Sequence, residues 1–233
     1  MNKQFSRTIG LLGEKDFNKI VEKKIIVFGC GGVGAATIES LARFGLKSIT
    51  FVDYDRVDES NLNRQVFTSR RNIGSYKCLA LRDRIREINP EIKVEYKIKK
   101  ILNNPEDFKL EDYDYVVDAI DTVTGKLSLI ENCKKNSIKL ISSMGAGNRL
   151  DPSKIKVMDI YDTKNDALAR VMRRELRKRS IDSLKVVCSD EQAISKSIRN
   201  QTSNKSTPLS SSFVPAVAGY ILAAEIIKDI LRS

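Results

Sequence analysis

The sequence predicts an α/β fold, a doubly wound and mainly parallel Rossmann-like sheet with helices on both faces and a C-terminal extension. Short apolar runs alternate with stretches of helical periodicity between residues 25 and 142, a pattern typical of parallel strands joined by helices. The sequence Gly-Cys-Gly-Gly-Val-Gly at residues 29–34 directly follows the first apolar run. A strand, a glycine turn and a helix in this order are the context of a nucleotide-binding loop.

The elements follow one another in the order that this fold requires. The first strand is predicted at residues 25–28, and the helix opened by the glycines is predicted to end at Phe44, before Gly45. The other strands of this region are predicted at residues 48–52, 92–98, 115–120 and 138–142. The other helices of this region are predicted at residues 75–89, before Pro90, and at residues 122–136.

The glycine loop predicts contact with the phosphates of a nucleotide. Gly29 permits the turn, Gly31 lets the backbone approach phosphate, and Gly34 lets helix and strand pack closely. Asp53, at the end of the second strand, places a carboxylate where it can accept both hydroxyls of a ribose. Taken alone, these residues fit a dinucleotide dehydrogenase as well as an ATP enzyme, and a merely structural turn is the remaining alternative.

The residues after Asp53 favour an enzyme that cleaves ATP between the α and β phosphates. Such an enzyme must neutralise the charge that builds up on the α-phosphate and on the leaving pyrophosphate. Arg64 and Lys77 supply positive charge, and Asn61 and Gln65 add amides for phosphate or ribose. A dehydrogenase has no need of such a cluster, because its pyrophosphate survives the reaction.

A magnesium ligand is predicted at Asp121. This residue follows the strand at residues 115–120, so it lies at the carboxyl edge of the sheet, where it can hold Mg²⁺ on the phosphates. Each residue of the set has a simpler alternative: Arg64 and Lys77 as solvated surface charges, and Asp121 as the cap of the helix that begins near Thr122. As an ordered set, they favour the catalytic interpretation.

In order and spacing, these motifs resemble the adenylation core of the ThiF/MoeB and ubiquitin-activating-enzyme superfamily. The motifs are residues 29–34, Asp53-Tyr54-Asp55, Ser-Asn-Leu-Asn-Arg-Gln at residues 60–65, Lys77 and Asp121. The resemblance implies that Asp53 holds the ribose and that Asp121 binds Mg²⁺. It implies that the phosphates are held by Asn61, Arg64 and Lys77. The whole set expected around ATP is Gly29, Gly31, Gly32, Gly34, Asp53, Asp55, Asn61, Arg64, Gln65, Lys77 and Asp121.

The resemblance also implies a homodimer with shared active sites. An arginine that matches Arg7 reaches into the ATP site of the partner protomer in that superfamily, so residues 1–23 are expected to form a helical segment that contributes to the dimer. Residues 24–150 then form the nucleotide-binding core. Residues 151–233 carry a basic helix, a mobile crossover loop and a C-terminal helix of the same single domain. Relatives also suggest a Na⁺ or K⁺ site, whose ligands the sequence does not identify.

The composition limits the available chemistry. The 233 residues include no histidine, which excludes Ser-His-Asp triads, Cys-His dyads and histidine-based metal sites. The four cysteines form no Cys-x-x-Cys pair, so the zinc site of many sulfur-carrier activators cannot form, and their scatter predicts a cytoplasmic protein. Cys188 is either a half-buried strand residue or a reactive cysteine like that of sulfur-transfer relatives. The apolar run at residues 213–224 is too short for a membrane span and predicts a core or dimer helix opened by Pro215.

The formal net charge of +11 predicts an acidic partner. Positive charge is densest at residues 169–179, a predicted helix with six cationic residues and one acidic residue. These cationic side chains are expected to be largely exposed to solvent. A charge run is usually a solvated face that mixes signs, but here one sign dominates, which favours contact with nucleic-acid phosphates. The residues predicted to contact tRNA are Arg170, Arg173, Arg174, Arg177, Lys178 and Arg179.

Within the superfamily, the chain resembles the tRNA threonylcarbamoyladenosine dehydratase branch. The resemblance rests on residues 144–152, 166–179 and 213–219 and extends over nearly the whole chain. It implies that ATP adenylates the threonyl carboxylate of the modified adenosine. The carbamoyl group then closes a ring on the activated carbonyl, and the net change is the loss of one water. Ring closure is intramolecular, so no enzyme nucleophile is required. A sulfur-relay accessory protein is a further partner that the sequence leaves open.

Two alternative functions stay open. One is an adenylyltransferase that activates the C-terminal Gly-Gly of a ubiquitin-like sulfur-carrier protein. The other is a nicotinamide-dependent oxidoreductase or a non-catalytic nucleotide-binding module, against which Arg64, Lys77 and Asp121 argue. Residues 189–212, rich in Ser, Asn, Gln and Lys, are predicted to form a mobile loop, either a linker or a flap over the substrate.

Overall fold

The computed structural model describes residues 3–101, 105–194, 198–199 and 206–233. Within them, the strands of the main sheet are β1 (Ile25–Phe28), β2 (Ser48–Val52), β3 (Lys93–Lys97), β4 (Tyr115–Asp118), β5 (Leu140–Ser143), β6 (Ile155–Asp159) and β7 (Lys185–Ser189). Across the sheet the order is β3-β2-β1-β4-β5-β7-β6. Neighbouring strands are parallel except β6, which runs antiparallel to β7 at one edge. The predicted α/β class and the mainly parallel sheet are confirmed.

Helices cover both faces of this sheet, as a doubly wound fold requires. The described helices are α1 (Ser6–Leu12), α2 (Glu14–Val21), α3 (Gly32–Phe44), α4 (Lys77–Ile88), α5 (Val123–Lys135), α6 (Ala167–Lys178) and α7 (Val214–Arg232). Side chains of β1 alternate between the two faces. Ile25 and Val27 join the core formed with α3, α4 and α7, whereas Ile26 and Phe28 join the core on the α5 side.

Several predicted boundaries differ from the structure by one or two residues; the strand predicted at residues 138–142, for example, is observed at Leu140–Ser143. Contacts explain two of these differences. The strand predicted to end at Ile120 ends at Asp118, because the Asp118 carboxylate accepts a hydrogen bond from the Ile120 amide and turns the chain. The helix predicted from residue 75 begins at Lys77, because Tyr76 forms a β-bridge with Arg56. Gly45 ends α3 as predicted, with φ of 114°.

The helix α7 packs against α3 at very close range. A Cβ atom on Gly219 would lie 2.4 Å from the Val33 carbonyl oxygen, so glycine is required at this contact. The Thr37 hydroxyl donates a buried hydrogen bond of 3.1 Å to the Gly219 carbonyl. The sequence predicts a core or dimer helix at this place. Pro215 lies in the first turn of α7 and is buried, and α7 contributes apolar side chains to the core.

The two ends of the chain frame this core differently. In the N-terminal segment, α1 and α2 meet at Gly13 and bury Phe5, Phe17 and Val21 in a small cluster. Of the predicted segment 1–23, residues 1–2 lie outside the described residues, and its place in a dimer stays a prediction. Among the described residues, no helix has both the length and the apolar character needed to cross a bilayer.

The predicted crossover loop is described only in part. Its short strands β8 (Ile198–Arg199) and β9 (Ser206–Thr207) pair with each other in antiparallel fashion. Residues 195–197 and 200–205 of the predicted mobile loop lie outside the described residues, as do residues 102–104 elsewhere in the chain.

Candidate nucleotide-binding site

A cleft of about 420 Å³ lies beyond the carboxyl ends of β1, β2 and β4. Ligands of open α/β sheets bind at this edge, and the volume falls within the usual range for a small-molecule site. The structure brings together ten residues that the sequence predicts around ATP. They are Gly29, Gly31, Gly32, Asp53, Asp55, Asn61, Arg64, Gln65, Lys77 and Asp121. Gly34 lies behind the loop in α3.

The glycine loop has the geometry that its sequence predicts. Gly29 has φ of 95°, and a Cβ atom there would lie 2.6 Å from the Ala119 carbonyl oxygen. A Cβ atom on Gly34 would lie 1.9 Å from the Gly29 carbonyl oxygen, so only glycine allows α3 to begin here. At Gly31 no atom lies within 4 Å of the corresponding position. The first N–H groups of α3 have no partner within the helix, so they present donors and positive dipole to an anion.

Asp53 connects the glycine loop to the end of β2. One carboxylate oxygen accepts a 2.6 Å hydrogen bond from the Cys30 amide, and the other accepts a 2.7 Å bond from the Asp55 amide. Burial raises the pKa of Asp53, although nearby Lys77 and the two amides act in the opposite direction. Each oxygen retains lone-pair capacity. The carboxylate is therefore fixed in position and can still accept hydroxyl groups.

Lys77 is not a solvated surface charge. Its side chain is buried, and its ammonium lies 2.7 Å from the half-exposed Asp55 carboxylate. Lys77 is the first residue of α4, where the helix dipole disfavours a cation, so the position is not chosen for helix stability. Arg64 is half-buried and its Nη1 donates to the Ser60 carbonyl at 2.7 Å and to Asn63 Oδ1 at 2.9 Å. Both cations border the cleft.

Two buried amides stand beside these cations. Asn61 Oδ1 accepts a 3.1 Å hydrogen bond from the Asp58 amide in a reciprocal capping arrangement, which holds the loop that carries Arg64. Gln65 is 4% exposed, and its Oε1 has no hydrogen-bond partner among the described residues. A buried acceptor without a partner is unfavourable, and a donor group on a bound ligand would satisfy it.

Asp121 is exposed at the cleft and does not cap α5. The N-cap residue of that helix is Thr122, which makes no side-chain capping bond. Among the described residues, no three His, Cys, Asp or Glu side chains are grouped as a metal site. Mg²⁺ is commonly bound by one or two carboxylates together with substrate phosphates, so Asp121 beside a phosphate-binding loop fits that ion.

The sequence reasoning missed a buried ion pair behind Asp121. Lys126 and Asp118 are both fully buried, and Lys126 Nζ lies 3.0 Å from Asp118 Oδ2 and 2.7 Å from the Ser143 carbonyl oxygen. Ser142 donates a 2.5 Å hydrogen bond to the same Asp118 oxygen. This network joins the segment that carries Asp121 to the end of β5. A lysine at three- and four-residue spacing from the apolar residues of α5 is the signal that identifies it.

Other residues of the cleft also escaped the sequence reasoning. Ala146, Gly147 and Pro215 lie within stretches that carried the resemblance to the dehydratase branch, but nothing assigned them to the nucleotide site. Tyr54 lies within the Asp53-Tyr54-Asp55 motif, and residues 208–210 lie within the segment predicted as a linker or a flap, but neither was assigned to the nucleotide site. No motif marks Lys99 and Lys100. The cleft residues that the sequence reasoning did not assign to the nucleotide site are Tyr54, Lys99, Lys100, Ala146, Gly147, Pro208, Leu209, Ser210 and Pro215.

The basic helix α6 does not line this cleft, and its cations are less uniformly free than predicted. Arg173 is half-buried, because its Nη1 donates to the carbonyl and the hydroxyl of Thr163. The Arg177 guanidinium lies 5.1 Å from the centroid of the Tyr161 ring. Arg170 is exposed and makes no ion pair with the described residues.

Ion pairs engage the other three cations of this stretch. Arg174, Lys178 and Arg179 all contact the Glu175 carboxylate, and Arg179 also pairs with Glu131. These contacts lower the pKa of Glu175 to about 2. Arg7, in α1, is exposed and lies outside the cleft of its own chain.

Cys188 lies in β7 as predicted, but it is buried rather than half-buried. It is 2% exposed, because the side chains around α6 cover that face of the sheet. Burial raises the pKa of its thiol to about 12, whereas a reactive cysteine needs an accessible thiolate. The structure favours the structural alternative for this residue.

The model of the ThiF family matches residues 5–233. The chain belongs to the ThiF family. The prediction of the superfamily is confirmed.

This chain has relatives that are named tRNA threonylcarbamoyladenosine dehydratase. It is 37% identical to the tRNA threonylcarbamoyladenosine dehydratase of Bacillus subtilis (strain 168), with 98% of this chain and 95% of the relative covered. It is 39% identical to the Escherichia coli (strain K12) protein of the same name, with 75% and 65% covered. The crystal structure of E. coli tRNA N6-threonylcarbamoyladenosine dehydratase, TcdA, in complex with ATP matches with a TM-score of 0.90. That match has 32% identity and covers 99% of this chain and 94% of the other.

Proposed function

We propose that this protein uses ATP to dehydrate threonylcarbamoyladenosine in tRNA. The observation that carries the proposal is the single cleft in which ten predicted ATP-site residues meet. The similarity to named dehydratases over nearly the full length of the chain supports the substrate. The similarity to an ATP-bound structure supports the co-substrate.

In this proposal, ATP lies with its ribose at Asp53 and its phosphates at the glycine loop. The N–H groups of α3 and the amides of Asn61 and Gln65 orient the nucleotide. Arg64 and Lys77 stabilise the negative charge that develops on the α-phosphate and on the leaving pyrophosphate. Asp121, together with the phosphates, would hold Mg²⁺, which supplies charge neutralisation when bound.

The first reaction step joins the tRNA to the nucleotide. A threonyl carboxylate oxygen attacks the α-phosphorus, an O–P bond forms, and the bond to pyrophosphate breaks with its electron pair. The Lys77 ammonium, which pairs with the Asp55 carboxylate, can pair with a phosphate oxygen instead. Lys77 and Arg64 therefore stabilise the negative charge on the α-phosphate and on the pyrophosphate, the two groups that the breaking bond joins.

The second step requires no protein nucleophile. The carbamoyl group attacks the activated carbonyl carbon, AMP leaves with the C–O electron pair, and one proton is lost to solvent. The reacting groups belong to one nucleoside, so proximity supplies much of the acceleration. A buried Cys188 and the absence of histidine agree with this route.

The proposal extends to the partners of the protein. Exposed cations of α6 contact tRNA phosphates, and Arg7 enters the ATP site of a second copy of the chain in a homodimer. A cytoplasmic location with access to tRNA, a sulfur-relay accessory protein and a bound Na⁺ or K⁺ ion are parts of the same proposal.

The direct test uses the purified protein with ATP, Mg²⁺ and tRNA that carries threonylcarbamoyladenosine. Mass spectrometry of the digested tRNA is expected to show a nucleoside lighter by one water. Lys77→Ala is expected to lower the rate at least a hundredfold, the order of loss seen when one charge-stabilising donor is removed. Lys134→Ala, at an exposed position of α5, is the matched control and keeps wild-type activity.

Two results would contradict the proposal. Unchanged tRNA would exclude the dehydration. Pyrophosphate exchange that depends on a protein ending in Gly-Gly would instead identify a carrier-protein adenylyltransferase.

A further inference from the structure

A short segment of the chain forms one wall of the cleft without belonging to any motif for ATP. Pro208, Leu209 and Ser210, here named the cleft strap, line the cleft beside Gly147. A Cβ atom on Gly147 would lie 2.7 Å from Pro208 Cβ and 3.2 Å from the Leu209 carbonyl oxygen. Glycine therefore lets the strap lie directly against the loop after β5.

Asn148 fastens the strap by two hydrogen bonds. The backbone N–H of Asn148 donates to the Leu209 carbonyl at 2.7 Å, and its side-chain Oδ1 accepts from the backbone N–H of Leu209 at 2.8 Å. Asn148 has φ of 58°, a left-handed conformation that asparagine tolerates better than most residues. Its carbonyl also accepts a 2.9 Å bond from the Ile194 amide. One residue thus holds the predicted crossover loop at two places, Ile194 and Leu209.

Asn63 fastens the strap at its other end. Its Nδ2 donates to the Ser210 carbonyl at 3.0 Å, and its Oδ1 accepts from Arg64 Nη1 at 2.9 Å. The same side chain therefore joins the strap to a cation that the proposed reaction uses at the phosphates. The position of the strap and the orientation of Arg64 are linked through one amide group.

We propose that Asn148 and Asn63 are positioning residues that hold the cleft strap over the activated carboxyl and keep water from it. This inference rests on the proposed function, because that reaction passes through an acyl-adenylate. Water can attack the same carbonyl carbon, the C–O bond to AMP breaks, and the free threonyl carboxylate and AMP result. Exclusion of water from a closed site suppresses such side reactions. The strap therefore sets the ratio of AMP released to cyclised nucleoside formed.

The experiment measures that ratio in variants of Asn148. Asn148→Gly removes the side chain and with it the bond from the Leu209 amide, whereas glycine accepts the left-handed conformation and keeps both backbone bonds. It is expected to raise the AMP released per cyclised nucleoside about fivefold, the population change that loss of one hydrogen bond produces. Asn148→Asp retains an acceptor for the Leu209 amide and is expected to keep the wild-type ratio.

Two further measurements separate the strap from a loss of folding. Gly147→Ala keeps the Asn148 side chain but pushes Pro208 and the Leu209 carbonyl away from the loop after β5, so it is expected to raise the same ratio. Hydrogen exchange at the Leu209 amide is expected to accelerate in Asn148→Gly, whereas exchange in β1 and β4 stays slow.

The outcomes distinguish this inference from the function on which it rests. A wild-type ratio in both Asn148→Gly and Gly147→Ala overturns the role of the strap and leaves the proposed function standing. Unchanged exchange at Leu209 in Asn148→Gly does the same. A wild-type protein that forms no cyclised nucleoside overturns both.

Discussion

At the scale of single residues, charge placement is the most informative feature of the structure. Lys77 stands at a helix N-terminus and Lys126 stands in an apolar core, and each is held by an aspartate. The helix dipole disfavours a cation at the helix N-terminus, and burial deprives a lysine of its hydration. Both positions are therefore unfavourable for a lysine. Lys77 reaches the cleft, whereas Lys126 supports the segment that carries Asp121.

Lys126→Met is expected to destabilise the protein strongly. The change leaves the Asp118 carboxylate buried and unpaired, which costs about 3 to 5 kcal/mol in unfolding free energy. Urea unfolding measures it. Lys23→Met, which breaks the exposed pair of Lys23 with Asp114, is the matched control and is expected to cost at most about 1 kcal/mol. The double variant Asp118→Val/Lys126→Met is expected to recover much of the loss, and equal costs at the two lysines would refute this interpretation.

At the scale of elements, sequence patterns located strands and helices well where local rules suffice. The glycine loop, the end of α3 at Gly45 and the position of Asp53 follow from periodicity and turn chemistry. The boundaries at Ile120 and Ser75 were wrong because they depend on the Asp118 turn and on a bridge between Arg56 and Tyr76. Such contacts join residues that local periodicity treats separately.

The cleft shows the same division between local and distant information. Its ATP motifs could be predicted, because their order and spacing lie within one stretch of the sequence. The segment of the cleft strap could be predicted only as a linker or a flap over the substrate, because the bonds of Asn148 to Leu209 and of Asn63 to Ser210 join residues far apart in the chain. The cations of α6 were predicted as one solvated face, but contacts with Thr163 and Glu175 divide them.

The basic helix α6 makes a prediction about salt dependence. Arg170→Ala is expected to weaken tRNA binding and to reduce the slope of log affinity against log salt concentration by about 0.7 to 0.9, the value for one phosphate contact. Filter binding at several salt concentrations measures the slope. Arg86→Ala, at an exposed site of α4, is the control and keeps the wild-type slope. An unchanged slope in Arg170→Ala would remove this residue from the proposed tRNA surface.

At the scale of the whole molecule, the proposed dimer predicts complementation between two inactive variants. Arg7→Ala and Lys77→Ala each damage every active site of a homodimer. In a mixed dimer, one site combines an intact Lys77 with an intact Arg7 from the other copy. Random mixing is expected to restore about a quarter of wild-type activity, since half of the dimers are mixed and each has one intact site. Activity assays after co-refolding measure it, and no gain on mixing would contradict a shared site.

The packing of α7 has a consequence for how the protein is made in the cell. Pro215 borders the cleft and Gly219 contacts the turn of α3 that follows the glycine loop, although α7 is encoded after all the other cleft residues. A ribosome that has translated only the ATP motifs has therefore exposed an incomplete nucleotide site. We expect a nascent chain to complete this cleft only after α7 has left the exit tunnel, because Pro215 forms part of its lining.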